Sequence, residues 1–202
     1  YPDSNYAAEG RPYPSYASNA ITNSGSLIIN GNVLVENQSI GGAAYCVDNS
    51  SGSTFVMNNG KLLQSGDNHA VRMQVNSNET KVTINNGTLE GRTAIWIHIT
   101  GWKSEQAPKG TLTINNGKLK GVQAVIIQGS YGQSNENITI NVEGGSFEGE
   151  CNRYNASIIV DLRHDDHIRT GNAKVNINGG TFSCDVVRAT EEGNEVIFKA
   201  NK

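Results

Sequence analysis

The densest group of ionisable side chains in the sequence is the run RHDDH at positions 163–167. Carboxylates and imidazoles this close together can transfer protons, which is the chemistry of a glycosidase. The groups available for an acid/base pair are Asp161, Asp165 and Asp166, with His98 and His164 to assist. A metal site would instead use His164, Asp165 and His167. The third interpretation, a solvated and charge-balanced loop, is the one we favour, so we predict no catalytic residue, metal or cofactor here.

A second set of side chains combines aromatic rings with hydrogen-bonding groups, as a sugar site does. Aromatic faces stack on the C–H face of a sugar ring, while amides, imidazoles and carboxylates bind its hydroxyls. We expect Trp102 and Tyr131 to be the stacking platforms. The expected ligand-binding groups beside them are His98, Gln128, Asp161 and Trp96. Two alternatives stay open: the polar groups only satisfy one another, or the long loops fold back over a small apolar cluster of Trp96, Ile126 and Ile159.

These residues are positioned by a sequence repeat with a period of about 28 residues. Six segments align without gaps: LIINGNVL (27–34), FVMNNGKL (55–62), VTINNGTL (82–89), LTINNGKL (112–119), INVEGGSF (140–147) and VNINGGTF (175–182). The first, third and eighth residues are apolar in all six segments. Apolar and polar residues alternate, which is the period of a strand with one buried face. The repeat therefore predicts eighteen inward positions, from Leu27 to Phe182.

Each segment also predicts a sharp corner between two strands. Only Gly and Asn, the residues that tolerate a positive φ most readily, occupy the fifth position: Gly31, Asn59, Asn86, Asn116, Gly144 and Gly179. We therefore expect the left-handed residue of the corner there. The fourth position is Asn in five segments and Glu143 in the remaining one. Stacked Asn side chains can form a ladder of hydrogen bonds, which Glu143 would interrupt.

A third strand follows in most repeats, as AVRMQV (70–75), AIWIHI (94–99), AVIIQ (124–128) and SIIVDL (157–162), while AYCVD (44–48) fits less well. Aligned on their first residues, the strands predict two outward columns: Cys46, Arg72, Trp96, Ile126 and Ile159 in one, and Asp48, Gln74, His98, Gln128 and Asp161 in the other. The long loops 100–110, 129–137 and 163–172 leave these strands at equivalent corners. We therefore expect the sugar site on this face, between the loops.

Three short strands per repeat predict an all-β fold, a single-stranded right-handed parallel β-helix of about six coils. Each coil of such a solenoid needs its neighbours in order to bury its apolar face. We expect residues 20–202 to form the β-helix domain, and residues 1–19, which hold three of the four prolines, to form an N-terminal linker or end cover. Because neither end shows a capping helix, we also expect the chain to belong to a longer protein.

The corners INNGTLEG and INGGTF resemble those of the pectin-lyase-like β-helix superfamily, and in particular the Asn/Gly-rich, adhesin-like surface proteins of gut and other bacteria. The resemblance implies an extracellular or cell-surface bacterial module that binds a polysaccharide or a host or cell-surface glycan. It leaves a polysaccharide lyase, a glycoside hydrolase and a purely structural stalk as alternatives. The hydrolase signatures Asn-Thr-Asp, Gly-His-Gly and Arg-Ile-Lys do not occur in this sequence, so we expect a non-catalytic protein.

Composition excludes several other classes of protein. The net charge is −3, with 16 Lys and Arg against 19 Asp and Glu, which disfavours nucleic acid as a partner. Apolar residues recur regularly among the 23 Gly and 26 Asn, which argues against disorder. The sequence contains no run of about 18 apolar residues, the length that predicts a membrane-spanning helix. The cysteines, at 46, 151 and 184, are too few for a disulfide framework, and we expect small buried or half-buried side chains, of which at most two can pair.

Overall fold

The chain winds as a parallel β-solenoid. The computed structural model describes residues 18–40, 42–99, 108–129, 137–151, 156–160, 173–189 and 195–198. Within these ranges, twenty strands pair in parallel in three sheets, and each sheet takes every third strand of the chain. This arrangement confirms the predicted parallel β-helix. The right-handed sense of the coil stays a prediction, favoured by the general handedness of crossovers between parallel strands.

The three sheets correspond to the three strands of each repeat. Sheet 1 contains β2 (Ser26–Ile29), β5 (Thr54–Met57), β8 (Thr80–Ile84), β11 (Gly110–Ile114), β14 (Ile138–Val142), β17 (Lys174–Ile177) and β20 (Glu195–Phe198). Sheet 2 contains β3 (Leu34–Asn37), β6 (Lys61–Gln64), β9 (Thr88–Glu90), β12 (Lys118–Lys120), β15 (Ser146–Glu148) and β18 (Thr181–Phe182). Sheet 3 contains β1 (Ile21–Asn23), β4 (Val47–Asn49), β7 (His69–Val75), β10 (Thr93–Ile99), β13 (Gln123–Gly129), β16 (Ala156–Val160) and β19 (Asp185–Ala189). The strands form six three-strand coils, with β1 before the first coil and β20 after the last.

The apolar positions of the repeat line the interior. Phe55, Leu89 and Phe147 have no exposed surface, and burial of such a side chain is worth about 1.5–3 kcal/mol. The predicted inward positions are buried or half-buried in every case except Leu34, which is 59% exposed. Leu34 pairs with Lys61, and its neighbour Val35 pairs with Leu62. The first corner is thus one residue longer than the others, so the gapless alignment is wrong after it and Val35 takes the inward position.

Glycine makes the corner between sheets 1 and 2 possible, one position later than the sequence predicted. Positive φ values occur at the sixth residue of five segments: Gly60 (119°), Gly87 (107°), Gly117 (112°), Gly145 (101°) and Gly180 (109°). The predicted fifth residue has a positive φ only at Gly31 (74°), in the longer first corner. The prediction was therefore wrong for the other five coils. The residues before these glycines, Asn in three coils and Gly in two, do not have a positive φ. The glycine that follows takes the left-handed position, because it lacks a Cβ atom.

The predicted amide ladder is present along this corner. Asn58 donates to Asn30 at 2.6 Å, Asn85 donates to Asn58 at 2.6 Å, and Asn115 donates to Asn85 at 2.7 Å, each through Nδ2 to Oδ1. The carboxylate of Glu143 has no proton to donate to Asn115 in the preceding coil, as an Asn at this position would. It instead accepts two hydrogen bonds from Asn178, at 2.8 and 2.9 Å. The predicted interruption at Glu143 thus follows from the chemistry of its side chain.

Gly117→Val should be strongly destabilising. A Cβ atom at this position would lie 2.8 Å from the carbonyl oxygen of Gly87 in the preceding coil, and φ is in the region that L-residues avoid. We expect a loss of at least about 2 kcal/mol in the free energy of unfolding, measured by urea denaturation. The control is Asn116→Val at the adjacent exposed residue, which should cost less than about 1 kcal/mol. Equal losses for the two variants would contradict the assignment of the corner.

Candidate functional site

The face predicted to bind sugar is the outward face of sheet 3. In the longer strands of this sheet, the second and third residues are both core residues, such as Ala70-Val71 and Ala94-Ile95. Inward and outward positions alternate after each pair. Outward side chains therefore stand both before and after each core pair. The strand pairing sets which outward residues become neighbours along the solenoid axis.

The predicted polar row is present in the second, third and fourth coils. His98 lies opposite Gln74 on one side and Gln128 on the other, and Trp96 lies between Arg72 and Ile126 in the same way. Adjacent strands are about 4.8 Å apart, so Gln74, His98 and Gln128 form a row of half-buried polar groups. The other predicted binding residues, Asp161, Trp102 and Tyr131, lie outside the described residues, and their roles stay predictions.

The first coil enters sheet 3 two residues out of step with the predicted alignment. Asp48 lies opposite Arg72 rather than Gln74, and Cys46 is fully buried in the core instead of facing outward. The core pair equivalent to Ala70-Val71 is Cys46-Val47, so aligning this strand on Ala44 was wrong. The register of this strand is set by the core, which needs two consecutive small or apolar residues at this point. That register places the carboxylate of Asp48 beside the guanidinium of Arg72.

Asp48 is the centre of a compact hydrogen-bond network. Arg72 Nε donates to Oδ1 at 2.8 Å and Arg72 Nη2 donates to Oδ2 at 2.6 Å, as a two-point fork. Gln74 Nε2 donates to Oδ1 at 2.9 Å, and Asn19 Nδ2 donates to Oδ2 at 3.0 Å. Asp48 is only 4% exposed. Both carboxylate oxygens are therefore fully engaged by neighbouring side chains.

The network keeps both members of the ion pair charged. Burial raises the pKa of Asp48, but the hydrogen bonds from Arg72, Gln74 and Asn19 outweigh burial and hold that pKa below its ordinary value. Burial lowers the pKa of Arg72, and the hydrogen bond to Asp48 outweighs it, so the pKa of Arg72 is raised. Asp48 therefore has neither a proton to donate near neutral pH nor a free oxygen with which to bind a metal.

Four aromatic rings pack beside this network. The ring centroids of Trp96 and His98 are 4.1 Å apart in a stacked arrangement, and those of His69 and Trp96 are 4.7 Å apart. Tyr45 stacks on His69 at 6.1 Å and lies 6.0 Å from Trp96. The guanidinium carbon of Arg72 stands 4.6 Å from the centroid of the Tyr45 ring, in a cation–π contact. We call Tyr45, His69, Trp96 and His98 the aromatic cluster.

Tyr45 and His69 do not belong to either of the two predicted outward columns. Both residues immediately precede the core pair of their strand, and each lies three positions before a member of the Asp48–Arg72 pair. Their position before the core pair is visible in the sequence, but only when Cys46-Val47 is aligned with Ala70-Val71. The alignment on Ala44 hid that signal.

The aromatic cluster is poorly solvated. Burial, together with the positive charge of Arg92, lowers the pKa of His69 to about 3. Burial likewise raises the pKa of Tyr45. Among the described residues, His69 Nδ1 and Trp96 Nε1 are buried without a hydrogen-bond partner. His69 is thus a neutral imidazole near pH 7, held in place by ring packing.

Trp96 is half-buried and already contacts two imidazole rings. Its neighbour in the next coil, Ile126, is only 5% exposed although it does not belong to the main core. This part of the face therefore carries an apolar cluster of its own. The next outward position along the strands, two residues later, holds the half-buried polar side chains of His98 and Gln128.

Two of the three cysteines form a disulfide. Cys151 and Cys184 are bonded, with their Cα atoms 5.2 Å apart, and they follow the second strand of adjacent coils. Cys46 is free and buried, and burial raises the pKa of its thiol to about 12. The described residues contain no group of three or more His, Cys, Asp or Glu side chains that could hold a metal ion. The sequence run 163–167 lies outside those residues.

Comparison of the chain with protein-family models, with curated proteins and with solved structures finds no match. The assignment of the fold therefore rests on the strand pairing. In the part of the chain that the structure describes, no helix is long and apolar enough to span a membrane.

Arg72→Met should destabilise the protein by about 3 kcal/mol, because it leaves the carboxylate of Asp48 buried without its cation. The side chains of Arg72 and Asp48 are 17% and 5% exposed. The control is Lys118→Met, which breaks the 2.7 Å pair with Glu148 between side chains that are 46% and 40% exposed. The free energy of unfolding of this control should fall by no more than about 0.5 kcal/mol. Urea denaturation at pH 7 separates the two outcomes, and similar losses would contradict a special role for the buried pair.

His69→Phe should make the free energy of unfolding less dependent on pH. The pKa of His69 is about 3 in the folded protein, against about 6.5 when unfolded. The unfolded state therefore binds more protons below pH 6.5, and the free energy of unfolding falls as the pH drops from about 6.5 towards 3, by up to about 1.4 kcal/mol per pH unit. Phe keeps the ring contacts and cannot titrate. Urea denaturation at pH 7, 6 and 5 gives the slope, and unchanged slopes would contradict a buried neutral His69.

Proposed function

We propose that this protein is a non-catalytic, extracellular or cell-surface module that binds an extended polysaccharide on the outward face of sheet 3. The observation that carries the proposal is the row of Gln74, His98 and Gln128 on three adjacent strands. The row runs along the solenoid axis with a spacing of about 4.8 Å. This spacing suits the successive hydroxyl groups of a linear sugar chain.

The chemistry of the row suits a neutral glycan. Amide and imidazole side chains can both donate and accept hydrogen bonds, as sugar hydroxyls do. The aromatic cluster lies directly beside the row, because His98 belongs to both. Its packing fixes the orientation of the His98 ring, so less conformational entropy is lost when a ligand binds. Trp102 and Tyr131 are the proposed stacking platforms on the adjoining loops.

The location outside the cell is supported by the disulfide. Structural disulfides persist in oxidising compartments and are rare in the cytosol, and Cys151–Cys184 joins two adjacent coils. The Asn/Gly-rich corners support the same location through their resemblance to adhesin-like surface proteins of the pectin-lyase-like superfamily. We extend the proposal to adhesion through a host or cell-surface glycan on this basis.

The alternative of a polysaccharide lyase or glycoside hydrolase receives less support. Asp48 was the acidic residue at one end of the predicted outward column, and its two oxygens are occupied by Arg72, Gln74 and Asn19. A catalytic carboxylate must be able to exchange a proton or attack the sugar. Asp48 in this network can do neither.

A purely structural stalk is the second candidate, and one feature favours it. Sheet 2 carries an exposed network of ion pairs, with Glu90 bound by Lys61 at 3.1 Å and by Lys120 at 2.7 Å across three coils. Together with the amide ladder, this network links coils without any recognisable ligand chemistry. The stalk and the glycan-binding module differ in whether the sheet 3 face binds anything.

A glycan-array screen of the chain, followed by titration of the best ligand, tests the proposal. Gln128→Ala should weaken binding by about five- to tenfold, because one or two hydrogen bonds to the ligand are lost. The matched control is Thr113→Ala, in the same coil but on sheet 1, which should leave the affinity unchanged. Trp102→Ala should abolish binding while the thermal unfolding midpoint changes little.

Three results would contradict the proposal. Absence of binding to every glycan on the array would favour the stalk. An effect of Thr113→Ala equal to that of Gln128→Ala would place the binding surface away from sheet 3. Cleavage of a bound polysaccharide, detected as new reducing ends or unsaturated products, would show that the protein is a glycoside hydrolase or a polysaccharide lyase.

A further inference from the structure

All five Asn-Gly pairs of the sequence lie at one corner of the solenoid, between sheets 1 and 2. In an Asn-Gly pair the backbone nitrogen of the glycine can attack the side-chain amide of the asparagine, because glycine has no Cβ atom to shield that nitrogen. The corner therefore repeats one reactive dipeptide in related surroundings. The pairs are Asn30-Gly31, Asn59-Gly60, Asn86-Gly87, Asn116-Gly117 and Asn178-Gly179.

Three of these Asn side chains are engaged in hydrogen bonds to a neighbouring coil. Asn30 Oδ1 accepts a hydrogen bond of the amide ladder at 2.6 Å. Asn59 Nδ2 donates to Asn32 Oδ1 at 3.0 Å, and Asn178 Nδ2 donates to both carboxylate oxygens of Glu143. A side chain held in this way must break its hydrogen bond before its carboxamide can turn towards the following backbone nitrogen.

The side chains of Asn86 and Asn116 differ from these three. Both residues are exposed, and among the described residues neither side chain has a hydrogen-bond partner. The amide ladder passes through the residue before each of them, since Asn115 donates to Asn85 at 2.7 Å. The carboxamides of Asn86 and Asn116 can therefore rotate without breaking any hydrogen bond.

The backbone nitrogens that follow these two side chains are also unengaged. Hydrogen bonds between the third and fourth coils run through the residues before and after the glycine, because Asn115 N donates to Ile84 O and Lys118 N donates to Gly87 O, each at 2.8 Å. Within the described part of the chain, the N–H groups of Gly87 and Gly117 have no acceptor. Nothing in the fold therefore holds these nitrogens away from the preceding side chain.

We propose that Asn86 and Asn116 are sites at which the folded protein modifies itself by spontaneous deamidation. The nitrogen of Gly117 loses its proton to the solvent and forms a bond to Cγ of Asn116. The bond from Cγ to Nδ2 breaks, and that nitrogen leaves as ammonia with a proton from water. Water then opens the succinimide ring at either of its carbonyl groups, so aspartate and isoaspartate both form. Asn86 and Gly87 react in the same way, with water as the co-reactant.

The modification would act on the contact between adjacent coils. The isoaspartyl product carries an additional methylene in the main chain, and at Gly117 a Cβ atom would already lie 2.8 Å from the carbonyl oxygen of Gly87. The aspartyl product leaves the main chain unchanged and adds a negative charge at an exposed position. Isoaspartate should therefore loosen the stacking of the coils, whereas aspartate should not. This inference rests on the corner and is independent of glycan binding.

Incubation of the folded chain at pH 8, in water labelled with a heavy isotope of oxygen, tests the inference. Peptide mapping by mass spectrometry should find labelled aspartate and isoaspartate first at Asn86 and Asn116. Asn30 and Asn59 should react about fivefold more slowly, because one hydrogen bond must be broken in each case. Asn178 should react more slowly still, since its hydrogen bonds are made to a charged group.

Two variants and an unfolded sample provide the controls. Asn116→Gln should remove the product at position 116 and leave the rate at Asn86 unchanged, because a longer side chain closes the ring far more slowly. Asn32→Ala, at an exposed residue, frees the side chain of Asn59 and should raise its rate about fivefold. In concentrated urea all five sites should react at similar rates.

The effect on the coil contact is measured separately. The isoaspartyl form at position 116, isolated by chromatography, should unfold at a lower temperature than the variant Asn116→Asp. The two proteins carry the same charge and differ in the additional methylene of the main chain. Equal unfolding temperatures would contradict the loosening of the coils.

Each of three other outcomes would overturn the assignment of the sites. The first is reaction at the same rate at every Asn-Gly pair of the folded chain, which would mean that the hydrogen bonds do not decide. The second is the absence of labelled product from the folded chain under conditions in which the unfolded chain reacts, which would mean that the fold protects Asn86 and Asn116. The third is aspartate without isoaspartate, which would indicate direct hydrolysis rather than ring closure.

Discussion

The parallel pairing of each coil with the next is the interaction on which the rest of this structure depends. A single coil has one apolar face and only a few residues per strand, so it cannot bury its own interior. Stacking buries that interior and satisfies the backbone donors and acceptors in the same step. It requires neighbouring coils to approach within one strand spacing, about 4.8 Å. The corner glycines permit this approach, because at Gly117 a side chain would collide with the carbonyl group of Gly87.

The same pairing creates the chemistry of the surface. Side chains that are about 24–30 residues apart in the chain become nearest neighbours, as His98 is to Gln74 and Gln128. On the corner this produces an amide ladder, on sheet 2 a network of ion pairs, and on sheet 3 a row of polar groups beside the aromatic cluster. The three surfaces differ only in which residue types the repeat places there. A function that uses several coils at once, such as binding a linear polymer, suits this architecture.

Length along the axis is the property that the proposed function uses. A polysaccharide bound along sheet 3 would contact one polar side chain per coil, so its affinity would grow with the number of stacked coils. Contacts at several points along one polymer would then act together and increase the apparent affinity.

The sequence by itself determined the β-helix, because the buried positions and the corners recur at a regular period. The amide ladder and its interruption at Glu143 were readable for the same reason. What the sequence left undecided was register wherever a coil departs from the repeat. Because the first corner has an additional residue, Val35 rather than Leu34 occupies the inward position. Because the core needs two consecutive small or apolar residues in sheet 3, Asp48 lies opposite Arg72. Only the packed structure decides such shifts, because a strand adopts the register that fills the interior shared with its neighbours, and that interior is not a property of any one segment.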